Sequence, residues 1–430
     1  MFKYYLSGLL IFMHVHSLFA QNAIPRSPSY VYIKDNQLIV EKRMANGVLR
    51  YPESYVIKGL TWSPATRAPE SGPNPLGPDE DVNYGFFFDW PGRYPQGHKV
   101  FDYWLKGQFK EHYAVDLSLL NDINANTIRN YTIIGINKAD YINILDECWR
   151  NDIMVILTVA MSKEELESRS YIEVVEACKD HPALLMWSLG NEWNMEYNKY
   201  WGYKSIIEAA KATNNAALVI KEIDRNHPVS SCLGDRFTDK DSDNTTEAIF
   251  KVCPEVDVWG FNIYRGASFG GLFEQIKELT AKPFYVSEFG TDSFRSEDFK
   301  IIDSYYAAEC KGIEDEDMQA GFVLGLWAEL AKELSSYDSE NQCLGGLVHE
   351  FNDSLWKVGS YHAGLGGLID YDSDIGKHAY YQYNNEGFFI SRGHPDHVAN
   401  EEYFGIVDAD RKPKKIYYQL KKFYNELKIE

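Results

Sequence analysis

Residues 184–192 read Leu-Leu-Met-Trp-Ser-Leu-Gly-Asn-Glu, and residues 282–290 read Lys-Pro-Phe-Tyr-Val-Ser-Glu-Phe-Gly. Each is a short apolar run closed by a carboxylate. Apolar runs of this length, bounded by turn residues, have the pattern of buried strands. Glu192 and Glu288 therefore each stand where a strand leaves the core. One glutamate so placed says little. Two, closing two separate strands, suggest a single site assembled from both.

Six further runs share the pattern: Tyr55–Trp62, Thr127–Tyr131, Ile153–Ala160, Pro228–Leu233, Val256–Tyr264 and Gly345–Phe351. Helical stretches lie between most of them, among them Ser118–Asn124, Lys138–Arg150, Tyr203–Arg225 and Asp315–Leu334. Strands alternating with helices predict a parallel sheet, and eight such units predict a closed (β/α)₈ TIM barrel. An open doubly wound sheet is the alternative, but no glycine-rich phosphate turn supports it. In the barrel, Leu184–Leu189 is strand four and Pro283–Phe289 strand seven. Both glutamates then fall on the C-terminal face, where barrel active sites are built. Two long irregular segments, Ser63–Lys99 and Lys357–Glu401, also follow strands and are expected over that face.

The chain divides into residues 1–20, an N-terminal extension over 21–54, and the barrel over 55–430, with no linker between domains. Tyr30–Arg50 reads as a β-hairpin turning at Asp35-Asn36. Residues 1–20 read as a signal peptide: Lys3 supplies the charge, Leu6–Phe19 the apolar run and Ala20-Gln21 the cleavage point. The run is short for a bilayer span and no second one of spanning length follows. A soluble, secreted or periplasmic protein without membrane insertion is expected.

The net charge is −20, which argues against nucleic acid or anionic lipid as partner. Aromatic residues make up 15% of the chain and offer flat apolar platforms of the kind sugar rings stack on. Cysteines 148, 178, 232, 253, 310 and 343 show no paired metal spacing. They form up to three disulfides in an exported chain or remain free in the core. No HExxH, complete calcium loop or GxSxG elbow is present, and nothing in the spacing of His349, Glu350 and His362 demands a metal. Neither a metal nor another cofactor is expected. Asn130, Asn244 and Asn352 begin glycosylation triplets, the first and third on barrel strands.

Two carboxyls flanking one bond are what hydrolysis of a glycosidic linkage requires. MWSLGNEWN resembles the acid/base motif of the clan A retaining glycoside hydrolases, and KPFYVSEFGTD resembles their nucleophile motif. The texture is closest to the glycoside hydrolase family 2 catalytic barrel, with some likeness to β-1,3-glucanosyltransferases. IKGLTWSP, NANTIRNY, GGLVHEFNDSLWK and FGIVDADRKPKKIYYQLKKFY extend the resemblance from Val56 to Tyr424. The long loops after strands one and eight have no match in it.

The resemblance implies a role for each matching position. Glu192 is the acid/base and Glu288 the nucleophile. Asn191 binds the sugar 2-hydroxyl, Tyr264 holds the nucleophile, and Arg129 sits beneath it and favours its ionised form. Trp356 is a candidate floor for the sugar site and Trp62 a second one. The implied activity is retaining hydrolysis of a β-linked poly- or oligosaccharide, with β-glucan favoured. A transglycosylase, an inverting hydrolase and a non-catalytic carbohydrate-binding barrel are the alternatives.

Overall fold

A computed structural model of the protein describes residues 24–66, 71–73, 81–83, 95–197, 202–237, 246–301, 306–355, 388–390 and 393–427. Eight strands form a closed barrel: β1 (Ile57–Thr61), β2 (Thr127–Arg129), β3 (Met154–Ala160), β4 (Leu184–Leu189), β5 (Val229–Gly234), β6 (Val258–Asn262), β7 (Phe284–Phe289) and β8 (Cys343–Val348). Neighbours are parallel and follow sequence order, with β8 pairing back onto β1. The expected (β/α)₈ barrel is the observed one, and β4 has the bounds read from its sequence. Most others are trimmed at their ends, as where Val256–Tyr264 contracts to Val258–Asn262, while Pro228–Leu233 and Gly345–Phe351 shift to Val229–Gly234 and Cys343–Val348.

The interior splits into two apolar clusters. The larger lies between the barrel and its helices. The smaller collects inward-facing Ile57, Met154, Ile156, Cys232, Val258 and Tyr285 with Val31, Leu38 and Val40 of the N-terminal hairpin. That hairpin, Tyr30–Lys34 against Gln37–Glu41, turns through Asp35 and Asn36 at φ 51° and 59°, the doubly left-handed geometry that suits a two-residue turn. Its apolar face closes the bottom of the barrel, and the polar strand ends are left to gather at the top.

The connecting helices start where side-chain caps permit. Asn137 accepts from the Ala139 and Asp140 amides, Ser205 from Glu208, and Asp315 from Met318, satisfying first-turn donors. The helix expected over Ser118–Asn124 is much longer, Pro95–Asp122, and takes in the end of the segment read as irregular. Short strands at Ser71–Pro73 and Asp81–Asn83 pair within the same loop.

After β7 the chain forms a feature with no counterpart in the sequence reading. Phe294–Ile301 and Tyr306–Glu314 pair antiparallel, and Phe388–Ile390 and Val398–Ala399 extend them to a four-stranded sheet. Buried Asp292 anchors it by accepting the amides of Phe294 and Asn400. Lys414 clamps the ends of β7 and β8 together, donating to Asp353 (2.6 Å), Ser293 Oγ (3.1 Å) and the Tyr403 carbonyl (3.2 Å).

Cys148, Cys178, Cys232, Cys253 and Cys343 are free and buried. Asn130 and Asn352 are fully buried, so neither triplet presents an acceptor in the folded chain. Among the described residues, no three His, Cys, Asp or Glu cluster as a metal site, and no helix is long and apolar enough to cross a membrane.

Candidate active site

The site begins where β4 ends. Gly190 leaves the strand at φ 73° and Glu192 follows at φ 49°. A left-handed backbone at a non-glycine residue costs roughly 1–3 kcal/mol and persists where the surroundings enforce it. Here the next two residues do so. Trp193 is buried and its indole donates to Ser231 Oγ at 3.0 Å. Asn194 donates to the Gly234 carbonyl (3.0 Å) and accepts from the Gly234 amide (2.7 Å). In the run Asn-Glu-Trp-Asn, the last two side chains staple the turn to β5, which leaves Asn191 and Glu192 to face the barrel mouth. A Cβ at Gly234 would lie 2.5 Å from Met195 Cγ, so a side chain there would have to push Met195 aside.

Glu288 lies inside β7 rather than beyond it, and is 6% exposed. Arg129, at the end of β2 and fully buried, donates to Glu288 Oε1 at 3.2 Å and to Asn191 Oδ1 at 2.7 Å. Tyr264 donates to Glu288 Oε2 at 3.1 Å. Burial opposes the Arg129 charge. The acidic groups around it, Cys232, Tyr131, Tyr285 and Glu288, outweigh that effect and raise its pKa.

Asn262, at the end of β6, completes the arrangement and was not singled out from the sequence. Its amide lies 3.1 Å from Asn191 Oδ1 and 3.0 Å from Glu192 Oε1, and its own carbonyl accepts from Ser287 Oγ at 2.7 Å. Glu192, Asn262, Asn191, Arg129 and Glu288 thus form one continuous chain of hydrogen bonds across four strand ends. The available signal was a buried amide in an otherwise apolar strand, two residues before Tyr264.

His349, at the end of β8, was weighed from the sequence only as a metal ligand and not as part of this site. Its Nδ1 lies 2.9 Å from both Thr61 Oγ1 and the Tyr131 hydroxyl, and 4.0 Å from Glu288 Oε2. Behind Tyr264, His394 stacks at 5.9 Å and 12°. Burial pushes the His394 imidazole down to about 4, so it is neutral near neutral pH.

The two expected sugar platforms fare differently from the polar residues. Trp62 has no exposed surface, donates its indole N–H to Asp116 at 3.0 Å, and meets Phe109 edge-on at 4.9 Å. It packs the barrel against the Pro95–Asp122 helix, so the reading of Trp62 as a sugar floor is corrected. Trp356 lies outside the described residues. Glu350 is 1% exposed and part of the buried strand end.

A closed barrel with one carboxylate at the end of its fourth strand and another at its seventh has the architecture of the glycoside hydrolase barrels. Residues 106–353 match Glycosyl hydrolases family 2, TIM barrel domain, and the chain belongs to that family. The resemblance read from the strand-end motifs is borne out. No curated protein matches the sequence. Among solved structures, a family 2 β-galacturonidase from Eisenbergiella tayi bound to galacturonate superposes with TM-score 0.50 at 17% identity, over 93% of this chain and 55% of that one. Faecalibacterium prausnitzii β-glucuronidase gives 0.51 at 16%, over 93% and 52%. A β-D-glucuronidase from Dictyoglomus thermophilum gives 0.50 at 16%, over 93% and 54%. At these identities the likeness is one of fold, and the chain spans about half the length of each protein.

Proposed function

We propose that the protein is a retaining β-glycoside hydrolase working by double displacement, with Glu192 as acid/base and Glu288 as nucleophile. The observation that carries this reading is the unbroken hydrogen-bond chain from Glu192 through Asn262, Asn191 and Arg129 to Glu288. It holds two carboxyls from opposite parts of the barrel in a fixed relation, as the mechanism demands. Retention calls for a separation of ~5–5.5 Å, inversion for ~6.5–9.5 Å.

In the first step a Glu288 oxygen bonds to the anomeric carbon as the glycosidic bond breaks, and the Glu192 proton passes to the leaving oxygen. In the second, Glu192 takes a proton from water, whose oxygen attacks the same carbon and releases Glu288. Arg129 and Tyr264 hold Glu288 through both changes of charge, and Asn191 meets the sugar 2-hydroxyl.

A neutral β-linked glucan is the proposed substrate class. Arg129 is engaged by Glu288 and Asn191, and Arg265 by Asp235 at 2.6 and 2.7 Å. Neither of these two guanidiniums stands ready for a sugar carboxylate. Export goes with this reading, through the basic, apolar and cleavable segment at residues 1–20. Sequencing the N-terminus of protein recovered from medium or periplasm tests the export.

Purified wild type, Glu192→Gln and Glu288→Gln on a panel of neutral β-glycans and β-uronides test the function, with the first-formed anomer followed by NMR. Cleavage by wild type with retained configuration, lost in both variants, is expected. Inverted product overturns the mechanism, and binding without cleavage favours a binding barrel. Cleavage confined to uronides overturns the substrate class.

A further inference from the structure

β7 carries a bulge one residue before Glu288. Phe261 of β6 pairs with Val286, yet its successor Asn262 pairs with Glu288, which leaves Ser287 as the extra residue. Bulges of this kind re-aim side chains beside active sites. Val286 and Phe289 both pack in the layer between the barrel and its helices, while the two residues between them both turn inward. Glu288 meets Arg129 and Tyr264. Ser287, fully buried, donates its hydroxyl to Asn262 Oδ1 at 2.7 Å.

The sense of every bond in this network is fixed from one end. A guanidinium only donates, so Asn191 turns its oxygen, not its nitrogen, to Arg129 at 2.7 Å. The same oxygen lies 3.1 Å from the Asn262 amide, so Asn262 presents its nitrogen there. That nitrogen also faces Glu192 Oε1 at 3.0 Å, and the Asn262 oxygen is left toward Ser287. The hydroxyl supplies the donor that this buried oxygen needs, where an unmet acceptor is costly. A proton on Glu192 Oε1 would confront the Asn262 N–H, donor against donor. It therefore belongs on Oε2.

We propose that Ser287 is a positioning residue for the acid/base: through Asn262 it holds one oxygen of Glu192 as an acceptor and places the catalytic proton on the other. This rests on the reading of Glu192 as acid/base. In the first step the Oε2 proton passes to the leaving oxygen, which keeps the electron pair of the breaking C–O bond. In the second, Oε2 takes a proton from the water that attacks the anomeric carbon. Without the Ser287 hydroxyl the Asn262 oxygen is unmet, its amide loses its hold, and the proton is no longer confined to Oε2. Adjacent residues of one bulged strand thus supply the nucleophile and aim its counterpart.

The test is kcat/KM, which reports formation of the glycosyl-enzyme, on phenyl and dinitrophenyl β-glycosides of the sugar that wild type cleaves in the panel above. Ser287→Ala is expected to lose about fivefold on the phenyl glycoside, whose leaving group needs the proton. On the dinitrophenyl glycoside, which departs without it, the loss should stay within about twofold. In an Asn262→Ala background, Ser287→Ala should cost less than about twofold on either substrate, because its effect runs through that amide. Equal losses on both glycosides mean a merely structural serine and overturn the proposal. So do losses in the double variant that multiply. Should the double variant not fold, the two glycosides decide alone. Glu192→Gln failing on the phenyl glycoside beside an unaffected Ser287→Ala sinks this inference and leaves the function reading standing. Glu192→Gln as active as wild type there, or a wild type that cleaves nothing, sinks both.

Discussion

The two strand ends that carry the carboxylates are built on opposite plans. At β4 the glutamate lies just past the strand, on a left-handed backbone held by its successors Trp193 and Asn194, and accepts from the neutral amide of Asn262. At β7 the glutamate is within the strand, nearly buried, and receives a guanidinium and a phenol. One carboxyl is aimed by its backbone and the other is held by its partners. A group that must give and take a proton benefits from weak neutral contacts, whereas one that must stay anionic benefits from charge and donors. The difference in support matches the difference in proposed role.

The largest effects should come from removing the carboxylates themselves. Glu288→Gln is expected to lower turnover by roughly 10⁴-fold or more on every substrate, since no covalent intermediate can form. Glu192→Gln should cost roughly 10²–10⁴-fold on glycosides with poor leaving groups. It should cost far less where the leaving group departs without protonation. Steady-state kinetics on an aryl series of graded leaving-group pKa reads this directly. If both variants respond equally to the leaving group, the two ends do not divide the labour as their surroundings suggest.

Next comes the charge that holds β7. Arg129→Met leaves Glu288 buried without its cation, which costs about 3–5 kcal/mol when one partner of a buried pair is removed. The double variant Arg129→Met, Glu288→Gln should recover part of that loss, because no lone charge then remains. Denaturant unfolding of the four proteins forms the cycle. Equal stability of the single and double variants would mean that the pair is not what holds this strand end. Asn262→Ala, acting at the β4 end, should leave stability nearer wild type and mainly reduce kcat, by about tenfold.

The same contrast explains what the sequence revealed. Strands such as Leu184–Leu189 are continuous apolar runs because both faces are buried, so they were legible, and with them the barrel and the two glutamates that end strands. Arg129, Asn191 and Tyr264 were found through the family resemblance, and their contacts now join them to the carboxylates. Asn262 escaped, and His349 was weighed only for a metal, because the contacts of each lie on other strands: Ser287, Asn191 and Glu192 for one, Thr61 and Tyr131 for the other. Trp62 shows the converse. An aromatic at a strand end resembles a sugar platform until Asp116, far along the chain, is seen to take its indole proton. The sheet built on Phe294–Glu314 was missed for a related reason, since its polar, irregular strands lack the apolar run that marks a barrel strand.

The smallest effect tests the outer wall of the β7 end. His394 stacks on Tyr264, which holds Glu288, and its imidazole is pushed down to about 4 by burial. The unfolded chain takes up this proton near the ordinary histidine value of about 6.5. Between these values the unfolded state binds more protons than the folded one, so stability falls as pH drops from about 6.5 toward 4 and is fully present above that window. By pH 5 the loss should be about 2 kcal/mol. His394→Gln, which does not titrate, should flatten this part of the stability curve, as read from thermal unfolding at pH 7 and pH 5. The stack on Tyr264 ties His394 to the support of Glu288 at the β7 end. Acid should therefore loosen the grip on the nucleophile before it disturbs the turn that aims Glu192. An unchanged slope in His394→Gln would place the acid sensitivity elsewhere and remove His394 from the support of Tyr264.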